Sequence, residues 1–344
     1  MEAENNHSAA IVGCAGPVLT DAERGLFRDT DPLGFILFAR NVETPNQLRA
    51  LIDDLRDCGG RNDAPVLIDQ EGGRVARLRP PDWRAAPTSA RIGALYRNDP
   101  DAGREAAWLN GRLLAHDLSG LGINVDCAPV LDLLFDGAHE IIGDRAFGEE
   151  IEPVVMLGRA TCEGLMAGGV LPVVKHMPGH GRATLDSHEA LPVVDVSRDV
   201  LQKTDFRPFL ALSDMPIAMT AHVVYSAIDP EGPATTSATV IREIIRGHIG
   251  FDGLLVSDDL SMKALSGDLE TRTSAALGAG CDAALHCNGD FEEMAAVLKA
   301  CGRMSDQASA RMSRAFERLG ATELLGDALA RFDDLMVREL QSGG

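Results

Sequence analysis

Aromatic side chains are scarce: Phe, Trp and Tyr make up 4% of the 344 residues, with two tryptophans and two tyrosines. So few rings argue against a long cleft that stacks successive units of a polymer. A continuous run of 18 apolar residues is also missing, so no segment is expected to cross a bilayer as a helix. The seven cysteines (Cys14, Cys58, Cys127, Cys162, Cys281, Cys287, Cys301) include no CxxC pair. Their odd number and scattered spacing exclude an ordinary disulfide frame or zinc knuckle and fit free thiols in a reducing compartment. Positive charge is in deficit, with 32 Lys and Arg against 52 Asp and Glu and a net charge of −20. Phosphate-backbone binding needs clustered cations, so no nucleic acid or anionic membrane is expected as a partner. "IVGC" (11–14) has the look of a lipoprotein cleavage box. The preceding "MEAENNHSAA", however, carries two glutamates and no Lys or Arg, and the apolar run is short for a signal segment. The expectation is a cytoplasmic protein without cofactor, metal or obligate protein partner.

What the chain does contain is a rhythm. Eight short apolar runs recur: 9–13, 34–38, 65–69, 123–130, 170–176, 217–222, 253–258 and 281–286. Near-continuous hydrophobicity over such lengths suits parallel strands buried on both faces. Between them lie amphipathic segments such as "TPNQLRALIDDLRDCG" (44–59) and "SATVIREIIRGHIG" (237–250), each opening on a capping residue and closing on glycine. Eight alternations predict a single (β/α)8 barrel. A doubly wound sheet is the alternative, but no GxGxxG follows the first strand. One catalytic domain is expected over 1–344, with a helical extension from about 302, a surface helix after about Ala330 and a loose end near 341–344.

Barrel enzymes build their sites at the C-terminal ends of the strands. Those ends carry Asp69 with "QEGGR", Asp126, Lys175–His176, His222, Asp258–Asp259 and His286, and charged groups there are expected to face the site. The densest stretch is "KHMPGHGRATLDSH" (175–188). His176 and His180 are four apart, but Pro178–Gly179 between them rules out the helix that would make them a metal pair. Lys175 reads either as a Schiff-base amine or as a cation that binds substrate hydroxyls, and the acids nearby favour binding. Asp186 and His188 sit two apart, so in an extended loop they project to one side. The carboxylate then holds one ring nitrogen and orients the imidazole for proton exchange near neutrality. The plainer reading, a loop aspartate making a turn bond, is outweighed by the setting after a barrel strand. In "LLVSDDLSM" (254–262) one aspartate is a candidate nucleophile and the other a cap for the next helix.

Four segments, "LIDQEGGRVARL", "IIGDRAFG", "VVKHMPGHGRATLDSH" and "VSDDLSM", occur in this order. With "GFILFARNVETPNQL" they resemble the β-N-acetylglucosaminidases of glycoside hydrolase family 3, in particular the short bacterial enzymes of peptidoglycan recycling. The resemblance spans about 10–300. It implies Asp258 as nucleophile and His188 as general acid/base assisted by Asp186. It also implies that Asp69, Arg77, Arg145, Lys175 and His176 hold N-acetylglucosamine, released from a muropeptide with retained configuration. Relatives with extra domains supply the acid from outside the barrel, whereas here the Asp186–His188 dyad is the available candidate. The competing readings are a metal-dependent barrel hydrolase, a Schiff-base lyase, a silent sugar-binding barrel, and phosphorolysis by the same site, since a neutral histidine does not repel phosphate.

Overall fold

The structure is a computed structural model that describes residues 7–188, 190–320 and 325–342. In chain order it comprises β1 (Ser8–Val12), α1 (Asp21–Thr30), β2 (Pro32–Leu37), α2 (Pro45–Gly59), β3 (Val66–Ile68), α3 (Ser89–Asn98), α4 (Pro100–Ser119), β4 (Val125–Asp126), α5 (Ile151–Ala167) and β5 (Leu171–Met177). Then follow β6 (Val193–Val194), α6 (Arg198–Lys203), α7 (Arg207–Ala211), β7 (Ile217–Thr220), β8 (Val224–Tyr225), a wide helix over Val240–His248, β9 (Leu254–Asp259), α8 (Leu269–Ala279), β10 (Ala283–His286), α9 (Phe291–Ala300), α10 (Asp306–Phe316) and α11 (Ala328–Ser342).

Eight strands close a parallel barrel in the order β1-β10-β9-β7-β5-β4-β3-β2. Each coincides with one of the eight apolar runs, because a strand covered by helices outside and filled by side chains inside has no polar face. The seam between β1 and β10 is parallel, with Ala10 opposite Ala284 and Val12 opposite His286. Local signals set the helix ends, and α2 closes one residue beyond the expected Gly59. Thr44 accepts the Gln47 N–H ahead of Pro45, and Gly60 ends α2 with φ 64°. Thr20 and Glu23 form a reciprocal capping box at α1.

Three features depart from the expected plan. The 237–250 segment winds wider than an α-helix, with the Ile249 N–H reaching back five residues to the Ile244 carbonyl at 2.8 Å. It still buries one apolar face, formed by Val240, Ile241, Ile244 and Ile245. A second, two-stranded sheet pairs β6 with β8, Val193 opposite Val224, and ties down the far end of the loop that follows β5. The last helix is not a mere surface element. Phe332, Leu335 and Met336 of α11 are buried, the helix packs on α3 and α4, and Arg331 pairs with Glu105 at 2.7 Å. Residues 343–344 of the expected loose end lie outside the described residues. No described helix is long and apolar enough to cross a membrane.

Candidate active site

At the C-terminal rim the loop after β3 makes a hairpin turn on Gly72 and Gly73 (φ 111° and 54°). A Cβ on Gly72 would stand 2.2 Å from the Pro87 carbonyl, so only glycine fits there. The turn lets Asp69, Glu71 and Arg77 converge on Lys175, the penultimate polar residue of β5. Lys175 Nζ donates to Asp69 Oδ1 at 2.9 Å and lies 2.7 Å from Glu71 Oε1. Arg77 donates to the other Asp69 oxygen at 3.0 Å. Arg145 reaches Glu71 with two hydrogen bonds of 2.8 Å each, the planar fork geometry that only arginine offers.

Burial is nearly complete, with 4% of the Glu71 side chain and 3% of Lys175 exposed. Burial pushes Asp69 upward, but Lys175 and Arg77 outweigh it and hold the carboxyl below its ordinary value. Glu71 is likewise driven well down, by Arg145 and Lys175 against burial. Burial alone would lower Lys175, yet Asp69 and Glu71 push it above its usual value. An amine paired with two carboxylates is placed to donate hydrogen bonds to substrate hydroxyls, in keeping with the binding role.

His176 is fixed from behind. Its Nδ1 donates to Asp132 Oδ2 at 2.7 Å, and the other Asp132 oxygen accepts the His180 N–H at 2.6 Å. The Nε2 edge therefore faces the cleft, 3.5 Å from Arg145. Asp132 is buried, which raises its carboxyl, but His176 and His180 more than compensate and lower it. His180 lies edge-on to His176 with ring centroids 5.6 Å apart. Burial first, and the neighbouring His176 second, push its imidazole down to about 4.

Asp258 and Asp259 separate as adjacent residues on a strand must. Asp259 accepts the Ser261 and Cys287 N–H groups at 3.1 Å each and the Ser261 hydroxyl at 2.6 Å. It clasps the turn after β9 to the end of β10. It does not cap the next helix, a task that falls to Asp268 in front of α8. Asp258 turns into the cleft. Burial raises its carboxyl, and His222, His176, the Asp259 N–H and Lys175 together bring it below the ordinary value.

The loop after β5 is clamped at its stem. A Cβ on Gly181 would meet the Leu133 carbonyl at 1.8 Å, and Arg182 pairs with Asp205 at 2.8 Å while stacking 3.7 Å over Phe135. At its tip Asp186 Oδ1 holds both His188 Nδ1 and the His188 N–H at 2.8 Å. Burial raises Asp186, but the His188 backbone and ring contacts lower it overall. His188 remains 62% exposed and lines the same cleft as Asp69, Arg77, Arg145, Lys175, His176 and Asp258.

Every residue that the family resemblance singles out thus lines one cleft or, for Asp186, holds a residue that does. The strand-end residues Asp126, His222 and His286 do not line it. They are fully buried behind the wall, because the rim folds over its own strand ends. Asp126 accepts the Gln70 N–H at 3.0 Å, and burial drives its carboxyl well up. Glu71, Asp132 and the structural part of His180 were missed by sequence reasoning. The only signal for Glu71 was its place in "QEGGR". Among the described residues, no group of three or more His, Cys, Asp or Glu side chains is arranged to hold a metal ion.

A closed parallel barrel with ion-paired carboxylates and an inward Asp258 at its C-terminal rim has the layout of a barrel enzyme with its site at the strand ends. The comparisons agree. Residues 20–320 match the glycosyl hydrolase family 3 N-terminal domain. The β-hexosaminidase of Alkalilimnicola ehrlichii is 42% identical over 293 residues, 84% of this chain and 83% of that one. That of Bordetella avium is 40% identical over 81% and 80% of the two chains. Native NagZ from Neisseria gonorrhoeae superposes with a TM-score of 0.83 at 31% identity, covering 96% of each chain. Its complex with N-trifluoroacetyl-D-glucosamine gives 0.84. The chain belongs to glycoside hydrolase family 3, and it is a glycoside hydrolase of the β-N-acetylhexosaminidase type.

Proposed function

We propose that the protein is a retaining exo-β-N-acetylglucosaminidase that removes a terminal N-acetylglucosamine from muropeptides, with Asp258 as nucleophile and the Asp186–His188 dyad as acid/base. The observation that carries this reading is the proton inventory of the cleft. Asp69 and Glu71 are each pinned as carboxylates by two cations, and Asp258 is held low as well. His180 is buried and held neutral near pH 7, and His176, fixed at Nδ1 by Asp132, turns its Nε2 to the Arg145 guanidinium, a donor that leaves no place for a second proton. His188 is the cleft group left to exchange a proton with a leaving group.

In the first step a carboxylate oxygen of Asp258 attacks the anomeric carbon as the glycosidic bond breaks. The departing oxygen takes a proton from His188 Nε2, while Nδ1–H stays on Asp186. The sugar is then an ester of Asp258 and the imidazole is neutral. In the second step His188 Nε2 takes a proton from water, whose oxygen attacks the anomeric carbon and releases the Asp258 carboxylate. Two inversions give retention. Asp69, Arg77, Arg145, Lys175 and His176 hold the sugar. Asp69 and Glu71 spend only part of their lone pairs on cations, leaving acceptors for hydroxyls. Ile36, Met219 and Leu285 supply an apolar floor.

The cleft encloses about 190 Å³, below the roughly 300–1,000 Å³ of drug-sized sites. That size supports one buried ring with the rest of the substrate outside, as exo action requires. The free thiols, six of the seven buried, support a reducing, cytoplasmic setting. A chromogenic β-N-acetylglucosaminide, assayed against the matching glucoside with and without phosphate, tests the reading. Equal turnover of both glycosides would overturn the sugar assignment, and phosphate-dependent release would replace hydrolysis by phosphorolysis.

A further inference from the structure

His222 stood out in the sequence as a strand-end histidine, yet it does not reach the cleft. It is fully buried beneath β9, as are Thr220 and Thr235. Its Nε2 lies 2.9 Å from the Asp259 carbonyl oxygen and its Nδ1 2.7 Å from Thr235 Oγ1. Thr235 Oγ1 is 2.8 Å from Thr220 Oγ1 and 3.1 Å from the Ala221 carbonyl. Thr220 Oγ1 in turn accepts the Asp258 N–H at 3.3 Å. A carbonyl oxygen has no proton to give, so His222 Nε2 donates to the Asp259 carbonyl. The Asp258 amide donates to Thr220 Oγ1, and the Thr220 and Thr235 hydroxyls join that end of the ring to His222 Nδ1.

We propose that this ring of hydrogen bonds makes His222, with Thr220 and Thr235, a positioning device for the nucleophile. It begins and ends on the dipeptide that bears Asp258. Thr220 pins the peptide before Asp258 and His222 pins the peptide after Asp259. The peptide between them is left with one orientation, in which the Asp259 N–H donates to Asp258 Oδ1 at 2.8 Å. That bond holds one carboxylate oxygen in place and leaves the other for the anomeric carbon. The ring touches neither the sugar-binding cations nor the dyad, so its loss moves the nucleophile without removing the binding wall. A displacement on the order of 1 Å at a reacting group costs as much as about 100-fold in rate.

The inference rests on Asp258 being the nucleophile, and the test separates the two. His222→Gln keeps a donor at the Nε2 position, His222→Asn an acceptor at the Nδ1 position, and Thr220→Val and Thr235→Val remove one hydroxyl each at nearly constant shape. Each is compared with wild type and Asp258→Ala, using glycosylation rates on a nitrophenyl β-N-acetylglucosaminide and inhibition by free N-acetylglucosamine. The expected result is a roughly 10- to 100-fold loss in the glycosylation rate, with product affinity within about twofold of wild type. The Thr220→Val/His222→Asn pair should lose little more than its worse single member, because both break one ring. Wild-type glycosylation in all four single variants would overturn the inference while Asp258→Ala remains inactive. So would parallel loss of rate and product affinity, which marks a general packing role. Turnover retained by Asp258→Ala would overturn the nucleophile assignment and the inference with it.

Discussion

Glu71→Ala probes the charge network of the cleft wall directly. The carboxylate accepts two hydrogen bonds from Arg145 and a contact from Lys175, all at 2.7–2.8 Å. The Arg145 side chain is 10% exposed and Lys175 3%. Truncation leaves both cations in the wall with Asp69 as the nearest remaining anion, and water reaches neither freely. Removing one partner of a buried pair costs about 3–5 kcal/mol, since the surviving charge keeps its desolvation penalty. Unfolding entropy of about 2.1 cal/mol/K per residue gives roughly 0.7 kcal/mol/K for a chain of this length, so the melting temperature should fall by about 4–7 °C. Kinetically, Lys175 and Arg145 lose their anchor and KM for an aryl N-acetylglucosaminide should rise. Glu71→Ala/Arg145→Met removes the stranded cation as well and should regain part of the stability but not the affinity. Calorimetry and steady-state kinetics on the three proteins decide it. A single variant melting within 1 °C of wild type with unchanged KM would show that the cluster is not an interdependent charge network.

Three further outcomes follow from the same geometry. Asp258→Ala should abolish turnover. Asp259→Asn, altering a carboxylate that accepts from Ser261 and Cys287, should keep much more activity at some cost in stability; the reverse ranking would refute the facing of the two aspartates. His188→Ala should impair the first step far more for a natural disaccharide than for a nitrophenyl glycoside, and slow deglycosylation for both, with Asp186→Asn a milder form. A leaving-group series no steeper than wild type, with unchanged deglycosylation, would make His188 a loop residue only. Because His180 is held at about 4 while an unfolded histidine titrates near 6.5, the unfolded state binds the extra proton between those values. Stability should therefore fall as pH drops through that window, by on the order of 3 kcal/mol, and the loss should be absent in His180→Asn. An imidazole NMR midpoint near 6.5 would contradict the burial argument.

The barrel itself was readable from the chain, because its strands are short, apolar on both faces and punctuated by capped helices. These are local properties, and Thr44 and Pro45 mark the start of α2 without help from elsewhere. The Asp186–His188 contact was readable for the same reason, being two residues long. The supports of the site were not. Glu71 meets Arg145 across 74 residues and Asp132 meets His176 across 44. Barrel closure decides those meetings by fixing which strand ends are neighbours. A two-residue alternation says that Asp258 and Asp259 face opposite ways, but not which way is inward. That is set by pairing with the next strand, where Asp259 lies opposite Leu285 and its carboxylate is taken up by the Cys287 amide. His222 shows the same division. Its position at a strand end was visible in the sequence, whereas its partners, Thr235 and the Asp259 carbonyl, lie 13 and 37 residues away and exist as partners only once the strands are side by side.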